Sequence, residues 1–367
     1  MKTTVCLATL LLTLFLCPNL TFAQLGGYGG GNNADTWADK NYPENQLLVA
    51  YLPGTTTEEK QAVRGFYSIT DVEEVNNELE LWYEISFPIE VQEEQNGAPH
   101  TVTLYDVEEL LANLDVQNNS TSNHDDARAQ VNSGDFNYEL NLLEINPSYY
   151  SGPMQILPDC REDAHRFSGP AGPFSSGEIS VVVMDQAFNF MNATMTGNIR
   201  VIDGPLGGGN ISLASHADQI GFIIQQSLAT ANLDVTFFNV AIFDPSGESS
   251  YADLIQGFKW LKDNSIQNCV INLSASMTVE SSVFSQPIWN YIDNIITNQN
   301  LLLVSSAGND GYGDDTIVLP GCAGMPHEIT VAGTSACFSA PWSLSNSNTV
   351  SFEIAAEAEQ VLVPIST

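Results

Sequence analysis

The apolar run Ile179-Ser180-Val181-Val182-Val183-Met184-Asp185 decides the fold class. Apolar residues follow one another here without alternation, which is typical of a parallel strand that is buried on both faces. Similar runs recur at 235–243, 269–273, 301–304 and 329–331. Helical periodicity separates them, at 220–228, 251–261 and 288–296. Strands that alternate with helices predict an α/β fold, in which helices cover both faces of a parallel sheet.

Three residues with chemically useful side chains follow strands of this predicted sheet. Asp185 ends the first run, His216 begins a helix after a long loop, and Asn309 follows the run that begins at residue 301. Ligands of such sheets bind at the carboxyl ends of the strands, so these side chains are candidates for one site. Each residue also has an ordinary structural explanation, since Asp caps turns, His starts helices and Asn adopts left-handed turns.

The segments around these residues resemble the subtilisin-like serine protease family. The resemblance covers the chain from about Glu178 to its C-terminus, within a domain that we place at 151–367. Its most specific segment is Ser306-Ala307-Gly308-Asn309-Asp310-Gly311. Three further segments also carry it: Ile179 to Asp185, Ser215-His216-Ala217-Asp218-Gln219-Ile220-Gly221, and Val270-Ile271-Asn272-Leu273-Ser274. The resemblance therefore implies a subtilisin-like parallel sheet with helices on both faces.

The resemblance also implies a role for each matching residue. His216 would be the base that activates a serine hydroxyl, and Asp185 would orient the imidazole and stabilise its charged form. Asn309 would donate its side-chain amide to the oxyanion of the transition state. The substrate backbone would pair with Ser274, Ala275 and Ser276, while Ser306, Ala307 and Gly308 would line the specificity pocket.

The spacing along the chain agrees with this family. His216 lies 31 positions after Asp185, against about 32 in subtilisin. Asn309 lies 93 positions after His216, against about 91. The nucleophilic serine should follow the base by about 157 positions, which falls past Thr367. We therefore expect the printed sequence to end before its nucleophile, and to lack the Ser-bearing part of the domain.

One serine motif and several departures from the family qualify this prediction. Gly333-Thr334-Ser335-Ala336 looks like the nucleophile motif, but Pro341 would break the helix that must follow it, so Ser335 is not assigned. After Asp185 the chain has Gln186-Ala187, where the family has a small Ser or Thr and then Gly. Ala217-Asp218 replaces the Gly-Thr that follows the base in the family.

A compact unit over 46–115 precedes this domain. Its pattern predicts strand, helix, strand, strand and helix, with a capping box from Thr56 to Glu59 and a half-buried strand over 79–85. The segment Asn45 to Thr55 resembles the start of subtilase propeptides, which implies a small α+β domain that assists folding and then blocks the cleft. An unrelated small α+β domain is the alternative.

The N-terminus predicts export. Residues 1–23 have Lys2 at the start, an apolar stretch too short to span a bilayer, and a cleavage site at Thr21-Phe22-Ala23, as in a secretory signal peptide. A buried N-terminal helix is the alternative. We expect a Gly-rich linker over 24–45, a second linker over 116–150, and a secreted protein without a membrane span.

Composition restricts the partners and cofactors. The 10 Lys and Arg residues face 44 Asp and Glu residues, and the formal charge of −34 argues against nucleic acid and anionic membranes as partners. Cys269 opens an apolar run and is expected to be a buried thiol, whereas Cys322 and Cys337 are close enough in sequence to pair. No zinc spacing occurs and no metal site is assigned. Calcium could bind the acidic residues Asp310, Asp314 and Asp315, although chance clustering in an acidic chain is the alternative.

These observations together favour a secreted subtilisin-like serine endopeptidase that is made as a zymogen. Its partners would be polypeptide substrates and its own propeptide as an intramolecular inhibitor. The chain as printed is expected to be inactive alone, because its nucleophile is missing. A catalytically inactive homologue that serves as a peptide-binding or inhibitory module is the second hypothesis, and an α/β binding protein of another family is the third.

Overall fold

The architecture is known from a computed structural model of the chain. It describes residues 42–95, 98–115, 127–142, 178–188, 199–202, 215–230, 234–279, 286–308, 317–319, 327–334 and 354–357. The predicted signal peptide lies outside these residues, as does nearly all of the Gly-rich linker. The following predicted residues also lie outside them: Asn309, Asp310, Asp314, Asp315, Cys322, Ser335 and Cys337.

The first part of the chain forms a small α+β unit. Its elements are β1 (Leu47–Tyr51), α1 (Thr57–Phe66), β2 (Val72–Asn76), β3 (Leu79–Trp82), β4 (Ile89–Gln95), β5 (Ala98–Leu104), α2 (Val107–Asp115) and β6 (Val131–Phe136). Four strands form an antiparallel sheet in the order β2-β3-β1-β6, and β4 and β5 form a separate hairpin. The predicted order of strand, helix, strand, strand and helix corresponds to β1, α1, β2, β3 and α2. The sequence does not predict β4, β5 or β6.

The helix starts of this unit follow the sequence signals. The Thr56 hydroxyl accepts a hydrogen bond from the N–H of Glu59 at 3.3 Å, and the Glu59 carboxylate accepts one from the N–H of Thr56 at 2.7 Å. This reciprocal pair is the predicted capping box, and it begins α1. Asp106 accepts in the same way from the N–H of Glu109, at 2.9 Å, where α2 begins.

The prediction of a half-buried strand at β3 is wrong, because all four of its residues are buried. On one face, Glu80 lies 3.7 Å from the ammonium of Lys60 in α1. On the other face, Glu73 pairs opposite Leu81 and accepts a hydrogen bond from Gln256, in a helix of the second part of the chain. The small sheet is therefore covered on both sides.

The predicted linker over 116–150 is also wrong in part. Residues 131–136 form β6, which pairs antiparallel with β1. A 3₁₀ turn over Ala127–Gln130 precedes it, and there Arg128 lies 2.7 Å from Glu93 and 4.9 Å above the ring of Phe66. The segment is polar in sequence, but it is held by a neighbouring strand and by a buried arginine. The N-terminal unit therefore extends to Phe136.

The second part of the chain contains a parallel sheet. Its elements and those beside it are β7 (Glu139–Leu142), β8 (Glu178–Asp185), β9 (Ile199–Ile202), α3 (His216–Thr230), β10 (Asp234–Ala241), β11 (Glu248–Ser250), α4 (Tyr251–Asp263), β12 (Val270–Leu273), β13 (Ala275–Val279), α5 (Gln286–Asn298), β14 (Leu302–Ser306), β15 (Ile317–Leu319), β16 (Glu328–Thr334) and β17 (Ile354–Glu357). Seven strands pair in the order β17-β16-β14-β12-β8-β10-β9, and each neighbouring pair is parallel. The predicted α/β fold is confirmed.

Successive side chains of β8 enter two different apolar clusters. Val182 and Met184 belong to a cluster that includes buried residues of α4 and α5. Val181 and Val183 belong to a second cluster, which includes Ala217 of α3. Because neighbouring side chains of a strand point to opposite faces, α3 covers one face of the sheet while α4 and α5 cover the other. No described helix has both the length and the apolar composition that a bilayer crossing requires.

Candidate active site

Asp185 and His216 meet at the carboxyl edge of the parallel sheet. Asp185 is the last residue of β8, and His216 is the first residue of α3. The Nδ1 atom of His216 lies 2.7 Å from Oδ2 of Asp185, and both side chains are buried. An ionised carboxylate can only accept hydrogen bonds, so the proton of this contact belongs to Nδ1. The Nε2 atom of the neutral ring is then the nitrogen that can accept a proton.

The second oxygen of Asp185 is also held in place. Its Oδ1 atom accepts a hydrogen bond from the backbone N–H of Gln186 at 2.7 Å. Hydrogen bonds of this kind to a carboxylate are short and strong because the acceptor carries charge. The carboxylate is thus held by a hydrogen bond at each of its two oxygens.

The start of α3 has its own cap. The Ser215 hydroxyl accepts from the N–H of Asp218 at 3.1 Å, and the Asp218 carboxylate accepts from the N–H of Ser215 at 2.9 Å. Asp218 is one of the residues at which the sequence departs from the family pattern. In the structure it completes a capping box that begins the helix one residue before His216.

The predicted substrate-binding residues share one edge of the sheet with this pair. β8 ends at Asp185, β12 at Leu273 and β14 at Ser306, and these three strands are parallel neighbours. The Ser306 hydroxyl donates to the carbonyl of Ala275 at 3.1 Å, so the two predicted binding segments touch. The other members of these segments, Ser274, Ser276 and Ala307, lie beside them in the chain and are at least half-buried.

Gly308 is the last described residue before Asn309. Its φ is +90°, in the left-handed region where a glycine has no steric cost. Asn309 itself lies outside the described residues, so its predicted part in the oxyanion site stays a prediction. The same holds for the pairing of Cys322 with Cys337.

An extended segment of the chain occupies the predicted substrate-binding edge. β7 lies between β11 and β13 in a second sheet, of order β11-β7-β13-β15, and it is antiparallel to both neighbours. Asn141 of β7 pairs with Ser276, and Leu140 pairs with Ser249 on the opposite side. Leu140 is buried. Sequence reasoning missed this segment, because the spacing of Leu140 and Leu142 is too short a signal to predict a strand.

Contacts next to β7 fasten the N-terminal unit to the second part of the chain. The side-chain oxygen of Asn137 accepts a hydrogen bond from the N–H of Ala252 at 2.9 Å, and the carbonyl of Tyr138 accepts one from the N–H of Tyr251 at 2.8 Å. Both donors belong to the first turn of α4, where N–H groups lack partners within the helix. β7 is therefore held in place by the start of a helix as well as by two strands.

The remaining predictions concern metals and thiols. Within the described ranges, no group of three or more His, Cys, Asp or Glu side chains is placed to bind a metal ion. Calcium at Asp310, Asp314 and Asp315 stays a prediction, because these residues lie outside those ranges. Cys269 is a buried free thiol, as predicted, and its burial raises its pKa to about 11.

The sequence of the second part of the chain matches a known family. A model of the Subtilase family (Peptidase_S8) covers residues 218–366. This part of the chain belongs to the subtilase family. The match begins two residues after His216, so the contact between Asp185 and His216 is an observation separate from it. No curated protein sequence matches the chain.

Several solved structures are similar to this chain. A lanthipeptide protease has 17% identity and a TM-score of 0.38, over 49% of this chain and 55% of its own. A cold adapted subtilisin-like serine proteinase has 19% identity and a TM-score of 0.38, over 52% of this chain and 66% of its own. The epidermin leader peptide processing serine protease of Staphylococcus aureus has 13% identity and a TM-score of 0.45, over 86% of this chain and 75% of its own. The match thus spans little more than half of the lanthipeptide protease and about two thirds of the cold adapted enzyme.

Proposed function

We propose that this subtilase is a secreted serine endopeptidase, made as a zymogen, that hydrolyses peptide bonds in polypeptides. The observation that carries the proposal is the 2.7 Å contact between Nδ1 of His216 and Oδ2 of Asp185 at the carboxyl edge of the sheet. Secretion rests on the predicted signal peptide over 1–23.

The geometry of this pair suits general base catalysis. A serine hydroxyl is a weak nucleophile until a base removes its proton. With Nδ1 committed to Asp185, Nε2 of His216 would take the proton of the serine and later return it to the leaving amine. The buried Asp185 carboxylate would stabilise the imidazolium that forms in between. Asn309, if it binds the oxyanion, would lower the barrier by about 3 kcal/mol.

The position of β7 supports both a polypeptide substrate and an internal inhibitor. An extended peptide that adds a strand to a sheet gains affinity from main-chain hydrogen bonds and specificity from side-chain pockets. β7 makes such pairs on both sides, with β11 and with β13. We propose that a substrate takes this place after cleavage beyond Leu142 has displaced β7 together with the N-terminal unit.

The test compares two histidine variants of the full-length gene product. In His216→Ala, the base is lost, and kcat/KM for an unstructured polypeptide should fall by at least about 10³-fold. The control is His327→Ala, which removes an exposed imidazole and should leave turnover unchanged. A fluorophosphonate should label the wild type at one serine. Equal turnover by His216→Ala and the wild type would refute the proposal.

A second candidate function is a peptide-binding homologue without catalysis. The observation that favours it is that β7 already occupies both strand edges. In this case a fluorophosphonate would not label the full-length gene product, and no polypeptide would be cleaved. A synthetic peptide with the sequence of residues 131–142 would nevertheless bind once β7 and the N-terminal unit had been removed by proteolysis.

A further inference from the structure

Gln186 is connected to four residues around the candidate site. Its backbone N–H donates to Oδ1 of Asp185 at 2.7 Å, and its side-chain Oε1 accepts from the backbone N–H of His216 at 3.0 Å. Its side-chain Nε2 donates to the carbonyl of Asp244 at 3.3 Å, and its own carbonyl accepts from Nδ2 of Asn239 at 2.9 Å. One residue thus joins the end of β8, the start of α3 and the chain that follows β10.

The side-chain amide of Gln186 has one orientation that satisfies both of its neighbours. The N–H of His216 can only donate, so it requires the amide oxygen. The carbonyl of Asp244 can only accept, so it requires the amide nitrogen. Turning the amide over would lose both hydrogen bonds. The two contacts therefore fix the direction of the side chain and the distance that it spans.

The hydrogen bond to His216 uses a helix donor that has no partner in the helix. His216 is the first residue of α3, and the first N–H groups of an α-helix have no acceptor within it. In the cap, the Ser215 hydroxyl accepts a hydrogen bond from the N–H of Asp218. Gln186 accepts the N–H of His216, so the base is held by its ring through Asp185 and by its backbone through Gln186.

We propose that Gln186 is a positioning residue, which fixes His216 against Asp185 and sets the direction of the imidazole. The proposal rests on the proposed function of this pair. Catalytic groups displaced by about 1 Å can lose about 10²-fold in rate, which makes such a bridge consequential.

Two substitutions distinguish the hydrogen bonds of the Gln186 side chain from its contribution to packing. Gln186→Met keeps the length and volume of the side chain but removes both hydrogen bonds. Gln186→Glu keeps an oxygen for the N–H of His216 and loses the donor to Asp244. The control is Gln256→Met, the same change on α4, where the lost hydrogen bond joins Glu73.

The first measurement is NMR of the full chain with isotope-labelled histidine, which has five residues to assign. The His216 signals are those missing from His216→Ala. In the wild type, the Nδ1 proton should resonate far downfield and exchange slowly with water. Gln186→Met should increase its exchange rate by about 10-fold or more and broaden or remove the signal. Gln186→Glu should retain the signal, and Gln256→Met should match the wild type.

The second measurement is the kinetics of the full-length gene product. Gln186→Met should lower kcat by about 10- to 100-fold with little change in KM, and Gln186→Glu should recover part of the loss. If Gln186→Met keeps both the wild-type Nδ1 signal and the wild-type kcat, the proposal is wrong. If Gln186→Met does not fold, the test rests on Gln186→Glu, which keeps the oxygen that accepts from His216. Loss of the Nδ1 signal in Gln186→Glu would then contradict the proposal. A wild type without a downfield Nδ1 proton would refute the Asp185–His216 pair itself, and with it the proposed function.

Discussion

The side-chain oxygen of Asn137 accepts a hydrogen bond from the backbone N–H of Ala252, 115 positions further along the chain. Asn137 is buried, and its amide nitrogen donates to Gln46 at 2.7 Å. One side chain therefore links the N-terminal unit to the start of α4, two residues before β7.

We predict that Asn137→Ala lowers the free energy of unfolding by about 1–3 kcal/mol, because the N–H of Ala252 loses its buried acceptor. Urea denaturation of the full chain measures the change. The control is Asn294→Ala, at an exposed position of α5, which should stay within about 0.5 kcal/mol of the wild type. Equal destabilisation by the two variants would contradict the role of Asn137.

Two glycines in helices should respond in opposite directions to alanine. At Gly257 of α4, an added Cβ would lie 2.7 Å from Cγ2 of Ile242, so Gly257→Ala should destabilise the chain by about 1–3 kcal/mol. At Gly65 of α1, nothing lies within 4 Å of an added Cβ, and Gly65→Ala should stabilise by about 0.5–1 kcal/mol. Thermal unfolding of both variants tests the pair, and a stabilised Gly257→Ala would contradict the close packing.

Glu80 should be costly to neutralise, because several polar groups depend on it. Its carboxylate lies 3.7 Å from Lys60 and 3.8 Å from Arg64, and it accepts from the Tyr51 hydroxyl at 2.9 Å. Glu80→Gln would leave a buried ammonium without its counter-charge, and the chain should lose about 3–5 kcal/mol of stability. Glu78→Gln, on the exposed turn before β3, is the matched control. Unfolding midpoints in urea that coincide for the two variants would show that the network contributes little.

The chain should lose stability in alkaline solution. Burial raises the pKa of Cys269 to about 11 and that of Tyr291 to about 12, from ordinary values of 9.0 and 10.0. Between pH 9 and 11 the unfolded chain has lost the thiol proton while the folded chain keeps it, so stability falls as pH rises through this window. From pH 8 to 10.5, Cys269 alone should cost up to about 2 kcal/mol.

Denaturation of Cys269→Ala at the two pH values checks this prediction. The variant has no thiol to titrate, so its loss of stability over the same interval should be smaller than that of the wild type by about the same amount. An identical pH dependence in both proteins would mean that Cys269 contributes nothing to alkaline unfolding.

The parts of the fold that could be predicted are those whose signal is local. The run from Ile179 to Asp185 is apolar because both of its faces are covered, and the capping box at Thr56 requires only neighbouring residues. β6 and β7 have no such signal. Polar residues in and next to these strands, among them Asp135 and Asn137, are buried, and Asn137 bonds to Gln46 and Ala252, which are distant in sequence.

The candidate site shows the same division. Spacing and motif allowed Asp185 and His216 to be predicted as a pair, and the structure brings them into contact. Gln186 was visible in the sequence as a departure from the family, but its role depends on the distance to the start of α3. Asp218 likewise has a role that only the structure reveals, because it forms reciprocal hydrogen bonds with Ser215 at the start of α3.

β7 is a middle strand, so the proposed removal of this segment would affect two strands at once. If Glu139–Leu142 is withdrawn, the inner borders of β11 and β13 both lose their backbone partners at the same moment. Exposed strand borders recruit other extended chains, including further copies of the same protein. A molecule that has lost this segment should therefore aggregate most readily before a substrate binds. Short peptides in solution should reduce the aggregation by pairing with the exposed strands.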